Sequence, residues 1–526
     1  MKLEKLNFTL VDGKLEIFTP ILSLFWKKNK FLSNSIPISF EYFQKNFLEK
    51  ITGQFLILAT LDNKTSIAIS DRWGSIPVFY NYRLKRFSQE PDFEGDVSEI
   101  SLFSLYYTRR LFSSSSLYKS SKRINAGHIA VKTSENELKV HQWNRRQFSQ
   151  NVARWVSPQT VATQLQSLAK EYDECGLFIS GGLDTRSILA AGEASWVQGT
   201  TLAFSKHSRE LQVASKLCAL NDTSHEIQML NIDEWRNNIS TAIYHSKFGY
   251  PINSLFLVMP ELQMPHVTGI GLDYMFQGMY LNPQMNDMTA SVDNVLRTLP
   301  CGNRYIARNT NLHQSEIYSH LVNTIENNKL YSEELIGDNF IDLFRNIVFA
   351  DPSMHYSFTD YLSQSERVPT SVIAFDPVLD DLWQKIDFRQ LFNKEFMLQT
   401  LSHINKDFLR VISANNNLPL RYTNFDRLKL YLRNGIRRIV SQRNLEHEVR
   451  TWPTQGYMAR ELLSLYSEEF FVKKAAVFDF SWMRSITFMN ELEWFQKRKR
   501  EFRFGRVHCD RENNLFYMLN ILLVAD

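Results

Sequence analysis

Residues 1–150 alternate short apolar runs with turn residues. Phe55 to Leu61 and Thr65 to Ser70 are apolar and β-branched, and Gly53, Asp62-Asn63 and Gly74 bound them. Such runs suit a pleated surface, so they predict strands and a β-rich first domain. From about residue 155 the rhythm becomes an apolar run, a turn and a stretch of amphipathic period, repeated several times. Gly176 to Ile179 predicts a strand, Asp184 to Ala191 a helix, and Thr200 to Phe204 a second strand. Glu210 to Leu220 predicts another helix, and Val267 to Ile270 a strand running into glycine. This alternation predicts an α/β second domain, residues 155–526, built on a parallel sheet. After about residue 315 helical periods dominate, broken by Pro352, Pro369, Pro377, Pro419 and Pro453, and predict a helical layer on that sheet.

Composition narrows the class without naming a partner. With 526 residues, 44% of them hydrophobic, the chain can fill at least two cores, which excludes disorder and a fibrous protein. Lys and Arg number 60 against 56 Asp and Glu, a net charge of +4, far below the basic excess of a dedicated nucleic-acid binder. Cys175, Cys218, Cys301 and Cys509 form no CxxC pair, so neither a disulfide framework nor a local zinc site is legible. The N-terminal stretch carries charges where a secretory signal needs an apolar run, and no segment approaches the ~20 apolar residues of a membrane span. The expectation is a soluble, cytoplasmic protein without membrane contact. Ser113 to Ser116 is compositionally biased, and the basic run Lys497 to Arg500 reads as a solvated helix face.

Candidate chemistry concentrates at Gly176-Leu177-Phe178-Ile179-Ser180-Gly181-Gly182-Leu183-Asp184-Thr185-Arg186-Ser187. An apolar strand enters Ser-Gly-Gly and a helix starts at once. The glycines let backbone approach a ligand, Ser180 adds a hydroxyl, and the helix start presents unpaired N–H groups. These form an anion cradle. A helix terminus carries only about half a positive charge, too little for a polyphosphate, so a divalent metal is implied. Asp184 is placed to bind it. A tight strand-to-helix turn with a capping aspartate would carry the same glycines, but the whole string favours a nucleotide site. A second string, Thr268-Gly269-Ile270-Gly271-Leu272-Asp273-Tyr274-Met275-Phe276-Gln277-Gly278, again runs from a strand through glycine to an acid. Asp184 and Asp273 together would give Mg²⁺ the one or two carboxylates it takes beside phosphates.

The two strings resemble the SGGxDS and SGxGxDE segments of the asparagine synthetase family. Between and after them, Thr201-Leu202-Ala203-Phe204, Glu210, Val213-Ala214, His225 and Phe375-Asp376-Pro377-Val378-Leu379-Asp380 look like further family segments. Gly53-Gln54-Phe55, Asp71-Arg72-Trp73-Gly74-Ser75-Ile76-Pro77, Tyr80, Ala126-Gly127-His128 and Trp143 are similar to the family's amidotransferase domain. The resemblance implies an Ntn-hydrolase-like αββα domain followed by a PP-loop domain. It implies ATP held by Ser180, Gly181, Gly182, Asp184, Thr185, Phe204, Thr268 and Gly269, with Mg²⁺ on the catalytic pair Asp184 and Asp273.

Three positions depart from that pattern. Position 2 is Lys2 rather than a nucleophilic cysteine, and no cysteine precedes Cys175, so glutamine hydrolysis is not expected. The DRxG segment also arrives early, which shortens the glutamine pocket. Tyr274 replaces the family glutamate, and Thr185 replaces serine while keeping the hydroxyl. The implied activity is a carbon–nitrogen ligase that converts a small-molecule or peptide carboxylate to an acyl-adenylate. Ammonia, from solution or a separate source, or a substrate amine, as on a precursor peptide, then displaces AMP. Cysteine-less relatives include lasso-peptide cyclases and β-lactam-forming synthetases, and others in surface-polysaccharide clusters act on sugar acids. The family also uses a lysine, for which Lys394, Lys429 and Lys497 are candidates. His128 and His225 adjoin no nucleophile or acid cluster and read as structural. The competing readings are a PP-loop tRNA-modifying enzyme and a non-catalytic scaffold of the same fold.

Overall fold

A computed structural model of the chain describes residues 15–18, 54–60, most of 65–413, 419–421, 455–477, 488–498 and 510–524. Lys2, Gly53, Asp62, Asn63, Ser113, Cys301, Pro352, Lys429, Pro453, Lys499, Arg500 and Cys509 lie outside the described residues. The molecule is mixed α/β. Eight strands come first: β1 (Leu15–Phe18), β2 (Leu56–Thr60), β3 (Ser66–Ser70), β4 (Phe79–Asn81), β5 (Arg86–Ser88), β6 (Ser121–Arg123), β7 (His128–Lys132) and β8 (Leu138–Gln142). They build two antiparallel sheets, ordered β1-β2-β3-β7-β8 and β5-β4-β6. Side chains alternate across a strand, so Leu56, Ala68 and Ala130 share one face of the larger sheet and meet Val78, Tyr80 and Ile124 in a common core. Ile67, Ile69 and Ile129, on the opposite face, are also buried. Burial on both faces explains why these strands read as nearly continuous apolar runs.

Among the described residues one helix interrupts these strands. α1 (Glu99–Thr108) is capped by Ser98, whose hydroxyl accepts from the Ser101 N–H, and every residue from Ser101 to Thr108 is buried. A helix buried all round carries no apolar stripe, so its period gave no signal. It packs against helices Glu316–Glu326 and Asp510–Val524. The Arg109 guanidinium that follows it lies 3.9 Å from the centroid of the Tyr517 ring, which knits the first part of the chain into the C-terminal helices.

A third sheet has strands β9 (Gly176–Phe178), β10 (Gly199–Ala203), β11 (His225–Met229), β12 (His266–Thr268) and β13 (Thr370–Val372), all parallel in the order β11-β10-β9-β12-β13. Helices α2 (Pro158–Ala169), α3 (Leu183–Ala191) and α4 (Arg209–Leu220) connect and cover it. Serine opens two of them, Ser157 accepting from the Gln159 N–H and Ser208 from the Leu211 N–H. The sequence-based elements stand within one or two residues of these bounds, except β13, which lies where helices alone were expected. Three residues beginning just after Pro369 are too short for period-2 alternation to show.

The conformations after β12 place the later helices. Gly271, at φ +97°, turns the chain into the short α5 (Leu272–Phe276). Beyond β13 come α6 (Pro377–Lys385), capped by Asp376, and α7 (Glu395–Ile404), which packs on α2 and α3. Segments of the two sheet systems touch directly. Trp73 stacks on Phe375 at 4.6 Å between centroids and lies 6.0 Å from Trp383. Each such pair adds about 1 kcal/mol beyond the area it buries. Trp73 is fixed by its own turn, because the Asp71 carboxylate accepts from the N–H groups of Phe55, Trp73 and Ser75 and from the Ser75 hydroxyl. The motif with an amidotransferase look thus serves packing. Among the described residues no helix is long and apolar enough to cross a membrane.

Candidate functional site

The order β11-β10-β9-β12-β13 means that the chain winds outward one way from β9 and then reverses to β12. Ligands of open α/β sheets sit at such a reversal, beyond the carboxyl ends of the strands. β9 and β12 are hydrogen-bonded neighbours, with Leu177 beside Val267, and both glycine–acid strings leave from their carboxyl ends. Topology alone therefore brings Ser180–Thr185 and Gly269–Asp273 together.

Side chains close the gap. A Cβ built on Gly269 would lie 3.1 Å from the Asp184 Cβ and 3.2 Å from the Thr185 nitrogen, so the two strings touch where only glycine leaves room. The Gln277 side-chain amide donates to the Asp184 carboxylate. Gln277 lies inside the second string, but nothing in the sequence gave it a role; its position just beyond α5 aims it across.

The loop is held by its own hydroxyls. Thr185 Oγ1 accepts from the Ser180 N–H at 3.1 Å, and Ser180 Oγ accepts from the Gly182 N–H at 3.2 Å. No side chain caps the start of α3, so its first-turn N–H groups remain available to an anion. Thr268 is the buried last residue of β12, and Phe204 follows β10 directly, partly buried at the same end of the sheet.

Burial pushes the Asp184 carboxyl well above the usual carboxylate range, and the Asp273 charge adds to the rise. The Gln277 amide and the Lys394 ammonium oppose it. Burial also raises Asp273, to about 6, against the Tyr274 N–H and again Lys394. Two carboxylates that repel each other under one cation form a donor set awaiting a second positive charge. Among the described residues no group of three or more His, Cys, Asp or Glu could hold a metal. A carboxylate pair matches Mg²⁺ at a polyphosphate, which keeps phosphate and water as its remaining ligands.

A raised carboxylate favours the protonated form, so its contribution to stability is complete below the ordinary value of 3.8 and is lost as pH climbs through about 6. Asp273→Asn should therefore stabilise the metal-free protein, and raise its melting temperature, by an amount that grows between pH 4 and pH 7.5 and reaches on the order of 3 kcal/mol. Thermal melts of both proteins across that range check it. A gain that does not change with pH would contradict the repulsion.

Lys429 lies outside the described residues; of the other two candidate lysines, Lys394 is the one whose charge acts on the acids. Lys497 pairs with Glu493 at 2.6 Å on an exposed helix face. Lys394 precedes α7 with Asn393 beside it, both in the left-handed region at φ 64° and 60°. Gly278 lets that segment approach: it too has positive φ (+63°), and a Cβ on it would lie 2.4 Å from the Leu391 carbonyl oxygen. Gly278→Ala is expected to destabilise the protein by roughly 2–3 kcal/mol, read from the denaturant midpoint. A neutral result would mean that the backbone near Leu391 yields freely.

Tyr274 points away from the acids. Its ring stacks on Phe349 at 5.6 Å and lies 5.7 Å from Trp383, fully buried, so a carboxylate there would sit among aromatic rings. Asp376 caps α6 rather than joining the pair, accepting from the N–H groups of Val378 and Leu379. His128 and His225 make local hydrogen-bond contacts away from the two acids. His128 Nδ1 contacts the Ala126 carbonyl, and His225 lies between the hydroxyls of Thr201 and Ser215. Thr201 donates its own proton to Ile179, so His225 Nε2 donates to Thr201 and Nδ1 accepts from Ser215. Cys175 and Cys218 are buried thiols. Compared with known proteins, the chain matches no family model, and no curated protein matches it significantly.

Proposed function

We propose that the chain is an ATP-dependent carbon–nitrogen ligase of asparagine synthetase type, with an Ntn-hydrolase-like first domain that lacks glutaminase chemistry and a PP-loop second domain. The observation that carries this reading is the contact between two glycine–acid strings at the reversal of the sheet, sealed by Gln277 on Asp184 and overlooked by the Lys394 charge. A plain capped turn accounts for one such string, not for two that converge.

In this reading ATP is a substrate. A carboxylate oxygen of the second substrate attacks the α-phosphorus, the bond to the bridging oxygen breaks, and pyrophosphate leaves. Negative charge grows on the departing oxygens, where the Ser180 hydroxyl, the Gly182 N–H and the first-turn N–H groups of α3 stabilise it. Lys394 adds a positive charge on a flexible stem above the acids. An amine then attacks the acyl carbon and loses a proton as AMP departs. Asp184 and Asp273 would hold Mg²⁺, which when bound screens the polyphosphate and polarises the α-phosphorus. The amine is ammonia or belongs to the substrate itself, as expected of a chain without the N-terminal cysteine.

ATP–pyrophosphate exchange in Mg²⁺, run with amino-acid, peptide and sugar-acid carboxylates, tests the reading. Carboxylate-dependent exchange and thermal stabilisation by MgATP are expected. A wild-type protein that MgATP does not stabilise would overturn it, as would exchange that survives Asp184→Ala.

A further inference from the structure

Arg186 lies within the first glycine–acid string but has no role in the reading above, yet it is among the largest fully buried side chains of the described residues. It lies on α3 two residues beyond Asp184. Its guanidinium donates to four backbone carbonyls: Gly181 at 3.2 Å, Phe408 at 2.9 Å, Val411 at 2.7 Å and Ile412 at 3.0 Å. No carboxylate pairs with it among the described residues. Burial lowers it only to about 10, so it stays charged at neutral pH.

Each contact has a consequence. Gly181 O and the Gly182 N–H belong to one planar trans peptide and point in opposite directions. Pinning the carbonyl on Arg186 aims the N–H the other way, toward the Ser180 hydroxyl and the mouth of the loop. The remaining three carbonyls belong to residues 408–412, which follow the far end of α7, the helix that Lys394 precedes. One cation therefore ties the phosphate loop to the helix behind the lysine.

We propose that Arg186 is a positioning residue that orients the Gly181–Gly182 peptide for pyrophosphate and locks residues 408–412, and with them the Lys394 helix, to that loop. The proposal rests on the phosphate-loop reading above. A buried guanidinium bonded only to carbonyls has a full positive charge to offer a polyanion nearby, while its planar fork fixes directions that an ammonium would leave free.

The test uses Mg-pyrophosphate, MgATP and AMP as probes on the full chain. Arg186→Lys keeps the charge and loses the fork. It is expected to weaken Mg-pyrophosphate and MgATP binding at least tenfold, by similar factors, while AMP binding changes less than twofold. A merely structural residue would lower the melting temperature without separating pyrophosphate from AMP, and that outcome overturns the proposal. Hydrogen exchange on the wild-type protein gives a readout independent of the variant's folding. Mg-pyrophosphate should protect 408–412 together with 180–184. Protection of 180–184 alone would refute the lock. If the wild-type protein binds no pyrophosphate at all, the reading of the site falls first, and the role of Arg186 falls with it.

Discussion

Asp184→Ala should lower ATP–pyrophosphate exchange by roughly 10³-fold or more, because it removes one of two carboxylates available to the metal and breaks the contact that joins the strings. The fold should survive. Asp184 is a liability to the metal-free protein, since burial and the Asp273 charge both disfavour its ionised form. Alanine does leave the buried Gln277 amide without its acceptor, which costs about 1–3 kcal/mol. Asp184→Asn is the sharper variant, because its side-chain oxygen can still accept from Gln277 while the charge is gone. Circular dichroism and melts would show an intact protein, at least as stable as wild type in the absence of Mg²⁺, together with lost exchange. An Asn variant that keeps exchange would place the metal elsewhere.

Replacing Lys394 should cost about 10²–10³-fold in kcat with little change in the KM for ATP, the pattern expected when a charge acts on the transition state more than on the bound substrate. The choice of variant matters because Lys394 occupies left-handed backbone at φ 64°. Asparagine tolerates that conformation better than most residues. Lys394→Asn therefore removes the ammonium without straining the turn before α7, and its melting temperature should match the wild type. Steady-state kinetics with whichever carboxylate supports exchange would decide. An equal rise in KM and fall in kcat/KM at constant kcat would reduce Lys394 to a binding contact.

The sequence exposed the site more readily than its supports. Strand-turn-helix strings with glycines and an acid are local, so Ser180–Asp184 and Gly269–Asp273 were legible as candidates, and the alternation of elements predicted the parallel sheet. Contacts that depend on distant chain were not. Arg186 finds its partners at 408–412, Gln277 meets Asp184 across the sheet reversal, and β13 joins β12 from about a hundred residues away. Lys394 was one of three lysines without a distinguishing string, and its charge acting on Asp184 and Asp273, beside the close approach of Leu391 to Gly278, is what sets it apart. α1 was missed for the opposite reason, since complete burial erased its period.

The Gln54 side chain accepts from the Val372 N–H at 3.2 Å, so a residue of the first domain occupies a backbone donor of β13, the last strand of the parallel sheet. Trp73 covers the Phe375 ring just beyond. A strand at the margin of a sheet is a template for pairing with another chain unless something occupies it. Gln54 and Trp73 thus cover part of that margin and its neighbouring ring. A fragment beginning at residue 155 would carry the whole phosphate loop yet present a bare strand and an uncovered aromatic ring to its own copies.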